Sequence, residues 1–205
     1  MNTQQLIEKH LSKHKKGKVI FSKDLLRYGD YEAVKKALHR LVKKGKLERL
    51  ARGIYYYPLE DPVLGKVYPS LDSIAKAIAK RDKARIIPAG EYALYQLGLS
   101  EQMPLNVVYL TDGSPRKIPI NGRYIVFKKT GPKYLAVKNP TASLIIQALR
   151  ALKKENVRPE HLKRIEELLR RADDAPQIHK EMQHAPQWIR KIVEEIFKNL
   201  ENEVA

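Results

Sequence analysis

The stretch DYEAVKKALHRLVKKGKLERLARGIYYYP, residues 30–58, decides how the rest of the chain is read. At about 100° per residue, Val34, Ala37, Leu38, Leu41 and Val42 fall on one face of a helix, and Glu32, Lys36, His39, Arg40 and Lys43 fall opposite. One face packs and the other reaches outward. Asp30 is suited to cap this helix, Gly45 to end it, and Lys43 and Lys44 to meet the negative end of its dipole. The segment 46–50, the tight Ala51-Arg52-Gly53 and the β-rich run 54–57 then read as two strands around a glycine turn. A basic helix followed at once by a basic hairpin has the form of a recognition helix and its wing.

Upstream, residues 3–13 read as a first helix with Leu6, Ile7, His10, Leu11 and His14 in one sector. Val19-Ile20-Phe21 reads as a short strand. Ser22 is expected to cap a second helix, with Phe21 and Leu26 as a hydrophobic staple and Gly29 as its end. The order helix, strand, helix, turn, helix, strand, strand is that of a winged helix-turn-helix. In such a fold Glu32, Lys35, Lys36 and His39 approach base edges, Arg40 and Lys43 reach bases or phosphates, and Arg52 meets phosphates or the minor groove. Ser22 serves as a cap and also as a possible phosphate contact. Tyr55, Tyr56 and Tyr57 read as strand packing in preference to base stacking.

The charge agrees with this order. The 205 residues carry a formal net charge of +17, a field that favours phosphate-bearing partners. Residues 1–58 hold 15 Lys and Arg against 5 Asp and Glu, a balance of +10, so under a third of the length carries over half the excess. The absence of cysteine excludes disulfides and thiolate metal sites and fits the cytoplasm. No stretch reaches the roughly 18 apolar residues of a membrane span, and the first residues lack the apolar core of a signal peptide, so no membrane partner is expected.

Residues 59–69, with Pro62, Gly65 and Pro69, read as a linker between residues 1–58 and a second domain over residues 70–205. That domain is expected to be α+β. Ser70 opens a helix, 85–87 is a brief strand, and 89–97 is a helix closed by Gly98. Strands at 106–111, 116–120 and 123–129 are expected to form a short antiparallel meander. Asn139-Pro140 starts a helix to Leu152 and Pro159 opens another. After a polar stretch at 173–177, a last helix carries Trp188, Ile189, Ile192, Val193, Ile196 and Leu200, whose stripe reads as core before it reads as a docking face.

No catalytic constellation emerges. The chain has no nucleotide-binding loop, nucleophile elbow or HExxH helix, and 130–133 is too short to cradle a phosphate chain. His10 and His14 have metal-pair spacing without a third ligand, and His179 and His184 do not share a helical face. Glu166-Glu167, Asp173-Asp174 and Glu194-Glu195 read as solvated surface, and Asp112-Gly113 as turn chemistry. No cofactor, metal or catalytic residue is therefore expected.

From Val19 to about Leu152 the chain also resembles the antitoxin component of AbiE-type abortive-infection systems, the AbiEi family. The stretches that carry the resemblance are VIFSKDLL, AVKKALHRLVKKGKLERLARGIYYYP, IIPAGEYALYQLGLS, VVYLTDGSPRKIPING and ASLIIQALRAL, in this order and spacing. The resemblance implies a repressor that binds inverted repeats in its own promoter as double-stranded DNA. It further implies an antitoxin of a type IV toxin-antitoxin pair that counters a nucleotidyltransferase-like toxin, the second domain serving neutralisation and cooperative DNA binding. The part after about Glu155 has no counterpart in the resemblance. A stand-alone winged-helix regulator and a structured-RNA-binding protein are the alternatives.

Overall fold

The computed structural model describes residues 1–204 and has a mixed α+β architecture. The chain divides into two compact units, Met1–Ile78 with Ile118–Gly122, and Ala79–Lys117 with the residues from Arg123 onward.

In the first unit the elements run α1 (Thr3–Ser12), β1 (Val19–Phe21), a 3-10 helix (Ser22–Tyr28), α2 (Tyr31–Lys43), β2 (Glu48–Ala51), β3 (Ile54–Tyr56), β4 (Leu59–Asp61) and β5 (Gly65–Val67). Then α3 (Leu71–Arg81) begins. β1, β3 and β2 form a three-stranded sheet in that order, β1 antiparallel to β3 with Val19 opposite Tyr56 and Phe21 opposite Ile54. The two helices and the sheet enclose a core of Ile7, Leu11, Ile20, Leu25, Val34, Ala37, Leu38, Leu41 and Leu47. The apolar face expected for residues 31–43 is the one that is buried.

Two expectations for this unit are corrected. Residues 22–28 form a 3-10 helix in which Ser22 lies inside the helix and makes no side-chain cap bond. The repeat of three residues puts Ser22, Leu25 and Tyr28 along one edge, and Leu25 is buried while Leu26 is left 42% exposed, so the Phe21–Leu26 staple does not form. Residues 59–69 are not an extended linker, because 59–67 fold back as the hairpin β4–β5, Leu59 opposite Val67 and Asp61 opposite Gly65. Asp61 Oδ1 accepts from the amides of Val63 (2.8 Å) and Leu64 (2.9 Å), a side-chain-stabilised turn whose Pro, Asp and Gly look like a linker in sequence.

The hairpin is tied to its own unit by Tyr56 Oη donating to Val67 O (2.5 Å) and by Lys66 Nζ donating to Glu48 Oε1 (2.8 Å). The hydrogen bond from Lys66 holds the Glu48 carboxyl below its usual range, and one from Tyr68 adds to it. A depressed folded pKa contributes stability above the unfolded value near 4.5 and loses it as pH falls through the folded value. We therefore expect the melting-temperature difference between the wild type and Glu48→Gln to shrink as pH is taken from about 6 to about 3. A constant gap across that range would mean that the carboxylate charge at Glu48 contributes nothing.

The chain continues with β6 (Ile86–Ala89), α4 (Glu91–Leu97), β7 (Val107–Thr111), β8 (Arg116–Ile120), β9 (Arg123–Lys129), α5 (Pro132–Leu135) and α6 (Pro140–Leu152). After α6 come a 3-10 turn (Lys154–Asn156), α7 (Pro159–Arg170), α8 (Ala175–Glu181), a 3-10 turn (Met182–His184) and α9 (Gln187–Val204). The strand order is β6-β7-β9-β8, with β6 antiparallel to β7 but β9 parallel to it, Val107 opposite Ile125 and Thr111 opposite Lys129. The expected meander is thus overturned. Pro119 cannot donate to a ladder, which suits β8 to the edge, and β9 brings buried Ile125 and Phe127 against β7 instead. Tyr109 on β7 packs between Tyr92 (ring centroids 5.6 Å) and Phe127 (6.0 Å).

Helix α6 is the axis of the helical core. Asn139 caps it by accepting from Ala142 N (2.9 Å), and Ile145, Ile146 and Leu149 pack with Leu97, Ile165, Leu169, Ile178, Ile189 and Val193. The stretch 173–177, read as a polar connection, contains the start of α8, whose Ile178 is fully buried. The stripe of α9 is packed in this core, which removes the docking-face reading of Trp188 to Leu200. Among the described residues, no helix is long and apolar enough to cross a membrane.

Candidate nucleic-acid interface

Helix α2 is fixed at both ends and along its length. Asp30 Oδ1 accepts from Ala33 N (2.7 Å), and after Lys44 the chain leaves through Gly45 at φ +69°, a left-handed position that glycine adopts without strain. The amides of Lys46 and Leu47 both donate to Leu41 O, at 3.0 and 3.3 Å, closing the turn into β2. With Val34, Ala37, Leu38 and Leu41 buried, the opposite face is set by geometry. Glu32, Lys35, Lys36, His39, Arg40 and Lys43 are all exposed there, within about 140° of arc.

These side chains are not equivalent. Lys35 Nζ lies 3.3 Å from Glu32 Oε1, an exposed pair of small energetic worth. Arg40 Nε donates to Gln4 Oε1 on α1 (2.7 Å), Gln4 Nε2 donates to Glu8 Oε1 (3.0 Å), and Glu8 pairs with Lys46 (3.1 Å). Hydrogen bonding by Gln4 and then by Lys46 holds the Glu8 carboxyl below its usual range, so the carboxylate stays charged at the centre of this relay. One guanidinium edge of Arg40 is thereby turned toward α1, while Lys36, His39 and Lys43 stand on the exposed face.

The hairpin supplies the second part. β2 and β3 pair with Glu48 opposite Tyr56 and Arg49 opposite Tyr55, and a register shift lies between Arg49 and Ala51. The tip is Arg52-Gly53, with Arg52 exposed and Gly53 at φ +74°. Ser22 N donates to Gly53 O (3.0 Å), and a Cβ on Gly53 would stand 3.1 Å from Ser22 Oγ. Ser22 is therefore half-buried against the hairpin tip, and its expected role as a helix cap gives way to support of that tip. Tyr56 is buried and Tyr55 and Tyr57 pack against the core.

Sequence reasoning passed over Tyr31. It is the first residue of α2, is 59% exposed, and has Lys35 Nζ 5.8 Å from its ring centroid. Its i,i+4 relation to Lys35 was the available signal. Among the described residues there is no group of three His, Cys, Asp or Glu side chains that could hold a metal ion. The arrangement is suited to holding phosphates by point charges and a guanidinium.

No curated protein matches the chain. Among solved structures it is similar to the crystal structure of the RV2827C protein from Mycobacterium tuberculosis, with 15% identity, a TM-score of 0.49, and coverage of 88% of this chain and 71% of that one. Residues 6–176 match DUF6088, a family of unknown function, and the chain belongs to that family.

Proposed function

We propose that the first unit is a winged helix-turn-helix that binds double-stranded DNA, and that the protein acts by occupancy as a transcriptional repressor of its own operon. The observation that carries this reading is the exposed cationic face of α2, which is fixed by a cap, a glycine exit and four buried residues and is followed directly by a hairpin with Arg52 at its tip. Lys36 and His39 face the bases, Arg40 and Lys43 hold backbone, and Arg52 reaches the flanking phosphates. Glu32 and Lys35 lie on the same face as a polar pair, and Ser22 supports the tip. No bound cofactor enters the mechanism, since occupancy itself blocks polymerase.

The resemblance to AbiEi antitoxins extends the proposal to the second unit. In this reading the protein is the antitoxin of a type IV pair and counters a nucleotidyltransferase-like toxin, with the α4–α6 region and the β6-β7-β9-β8 sheet as the part that serves neutralisation.

The test is a binding titration on the DNA immediately upstream of the gene against a scrambled duplex of equal length at two salt concentrations. The expected result is a preference of about a thousandfold or more at physiological salt. Equal, strongly salt-dependent binding to both duplexes would sink the operator assignment, and tighter binding to folded RNA would replace DNA with RNA as the partner.

A further inference from the structure

The first unit carries a second concentration of charge that the proposed DNA-reading face does not use. Between α1 and β1 the chain runs Lys13-His14-Lys15-Lys16-Gly17-Lys18, and these residues line a shallow, open depression of about 450 Å³. All four lysines are exposed. The ion pairs of this unit engage Lys35, Lys46, Lys66 and Lys76, and among the described residues none engages Lys13, Lys15, Lys16 or Lys18.

Strand register places this loop away from the wing. Gly17 N donates to Tyr57 O (2.8 Å) and Tyr57 N to Lys18 O (2.9 Å), whereas at the other end of β1 Ser22 N donates to Gly53 O (3.0 Å). Between Gly17 and Ser22 lies a run of extended chain, about 16 Å at roughly 3.3 Å per residue. The lysine loop and Arg52 are thus at opposite ends of the β1–β3 pair.

Two imidazoles are embedded in the same charge. His10 and His14 meet edge to face with ring centroids 4.5 Å apart. Lys18 Nζ donates to His14 Nδ1 (3.2 Å), and Arg27 Nη2 stands 3.5 Å from His10 Nε2. Arg27 also lies 5.0 Å from the Tyr28 ring, which faces His10 at 5.4 Å. Burial first, and then the charges of His14, Arg27, Lys18 and Lys13, hold His10 below its ordinary pKa.

We propose that the Lys13–Lys18 loop, with His14 and Arg27, is a second nucleic-acid site that grips the phosphate backbone of a strand separate from the one read by α2. A backbone fits better than a free anion. Three of the loop's six amides, which a small-anion nest would draw on, are already spent, Lys13 N on His10 O, His14 N on Leu11 O and Gly17 N on Tyr57 O. The four exposed lysines form a row of point charges along an open groove, which matches a line of phosphates. A phosphate beside His10 favours protonation of that ring and so adds charge to the site.

The experiment uses the full chain and two sets of variants, Lys36→Ala/Arg40→Ala on α2 and Lys15→Gln/Lys16→Gln/Lys18→Gln on the loop. The probes are a short single strand of random sequence and inorganic tripolyphosphate. In the α2 variant we expect residual strand binding that weakens about fiftyfold between about 50 and 200 mM salt, as roughly four lysine contacts to a single strand require. Adding the loop substitutions should remove it without moving the melting temperature. In NMR titrations the strand should raise the pH midpoint of the His10 ring protons in the wild type and leave it unmoved in the loop variant. Residual binding that survives the loop substitutions would overturn the site, and tripolyphosphate binding as tightly as the strand at equal phosphate concentration would overturn its assignment to nucleic acid. Operator binding, tested on α2, can fail or succeed independently of either result.

Discussion

Lys36→Ala is expected to lower affinity for the upstream DNA by about 10- to 100-fold while changing affinity for random duplex much less, the cost of one lost base contact. The position sits early on the outward face of α2, the end that enters the major groove in a winged helix, and among the described residues no ion pair engages its ammonium. Arg40→Ala should behave differently. Its Nε is engaged by Gln4 on α1, which turns the guanidinium toward the flank of the helix, where backbone runs. A uniform loss on operator and random duplex is expected, with the salt slope shallower by about one. Fluorescence anisotropy at several salt concentrations separates the two patterns. Unaltered affinity in both variants would remove α2 as the reading helix, and a selective loss at Arg40 would reverse the roles assigned here.

Much of this face was legible because helical angle alone fixes it. Once Val34, Ala37, Leu38 and Leu41 are inward, Lys36, His39, Arg40 and Lys43 have nowhere to point but out, and Asp30 and Gly45 mark the ends chemically. What helical angle cannot supply is a partner from another element. The Arg40–Gln4–Glu8–Lys46 relay joins residues far apart in sequence, and it decides how Arg40 is presented. Local pattern also misled where one residue type serves two geometries. Pro62 and Gly65 belong to a hairpin turn as readily as to a linker, and Ser22 ahead of Leu25 and Leu26 fits a capped α-helix until the three-residue repeat of the 3-10 form buries only Leu25. The strand order was not readable from local pattern, which pointed to a meander, because a parallel β7–β9 neighbour relation depends on which apolar strand best covers Tyr109.

The same core sets the second large effect. Leu41 is fully buried in the cluster that joins α1, α2 and the small sheet, and its carbonyl accepts the amides of Lys46 and Leu47 where the chain turns into the hairpin. Leu41→Ala keeps those backbone bonds but leaves a cavity between α2 and its support, for an expected loss of about 2–5 kcal/mol. Leu26→Ala, one residue from buried Leu25 but itself exposed, should stay within about 0.5 kcal/mol. Urea denaturation followed by circular dichroism measures both. Equal losses would reinstate the staple that the structure denies to Leu26. If the proposed DNA contact requires α2 and the hairpin to be held in one geometry, Leu41→Ala should also weaken operator binding at temperatures where the first unit is partly unfolded, and regain it on cooling. Lys36→Ala, which removes a contact and leaves the seat of the helix intact, should show no such recovery.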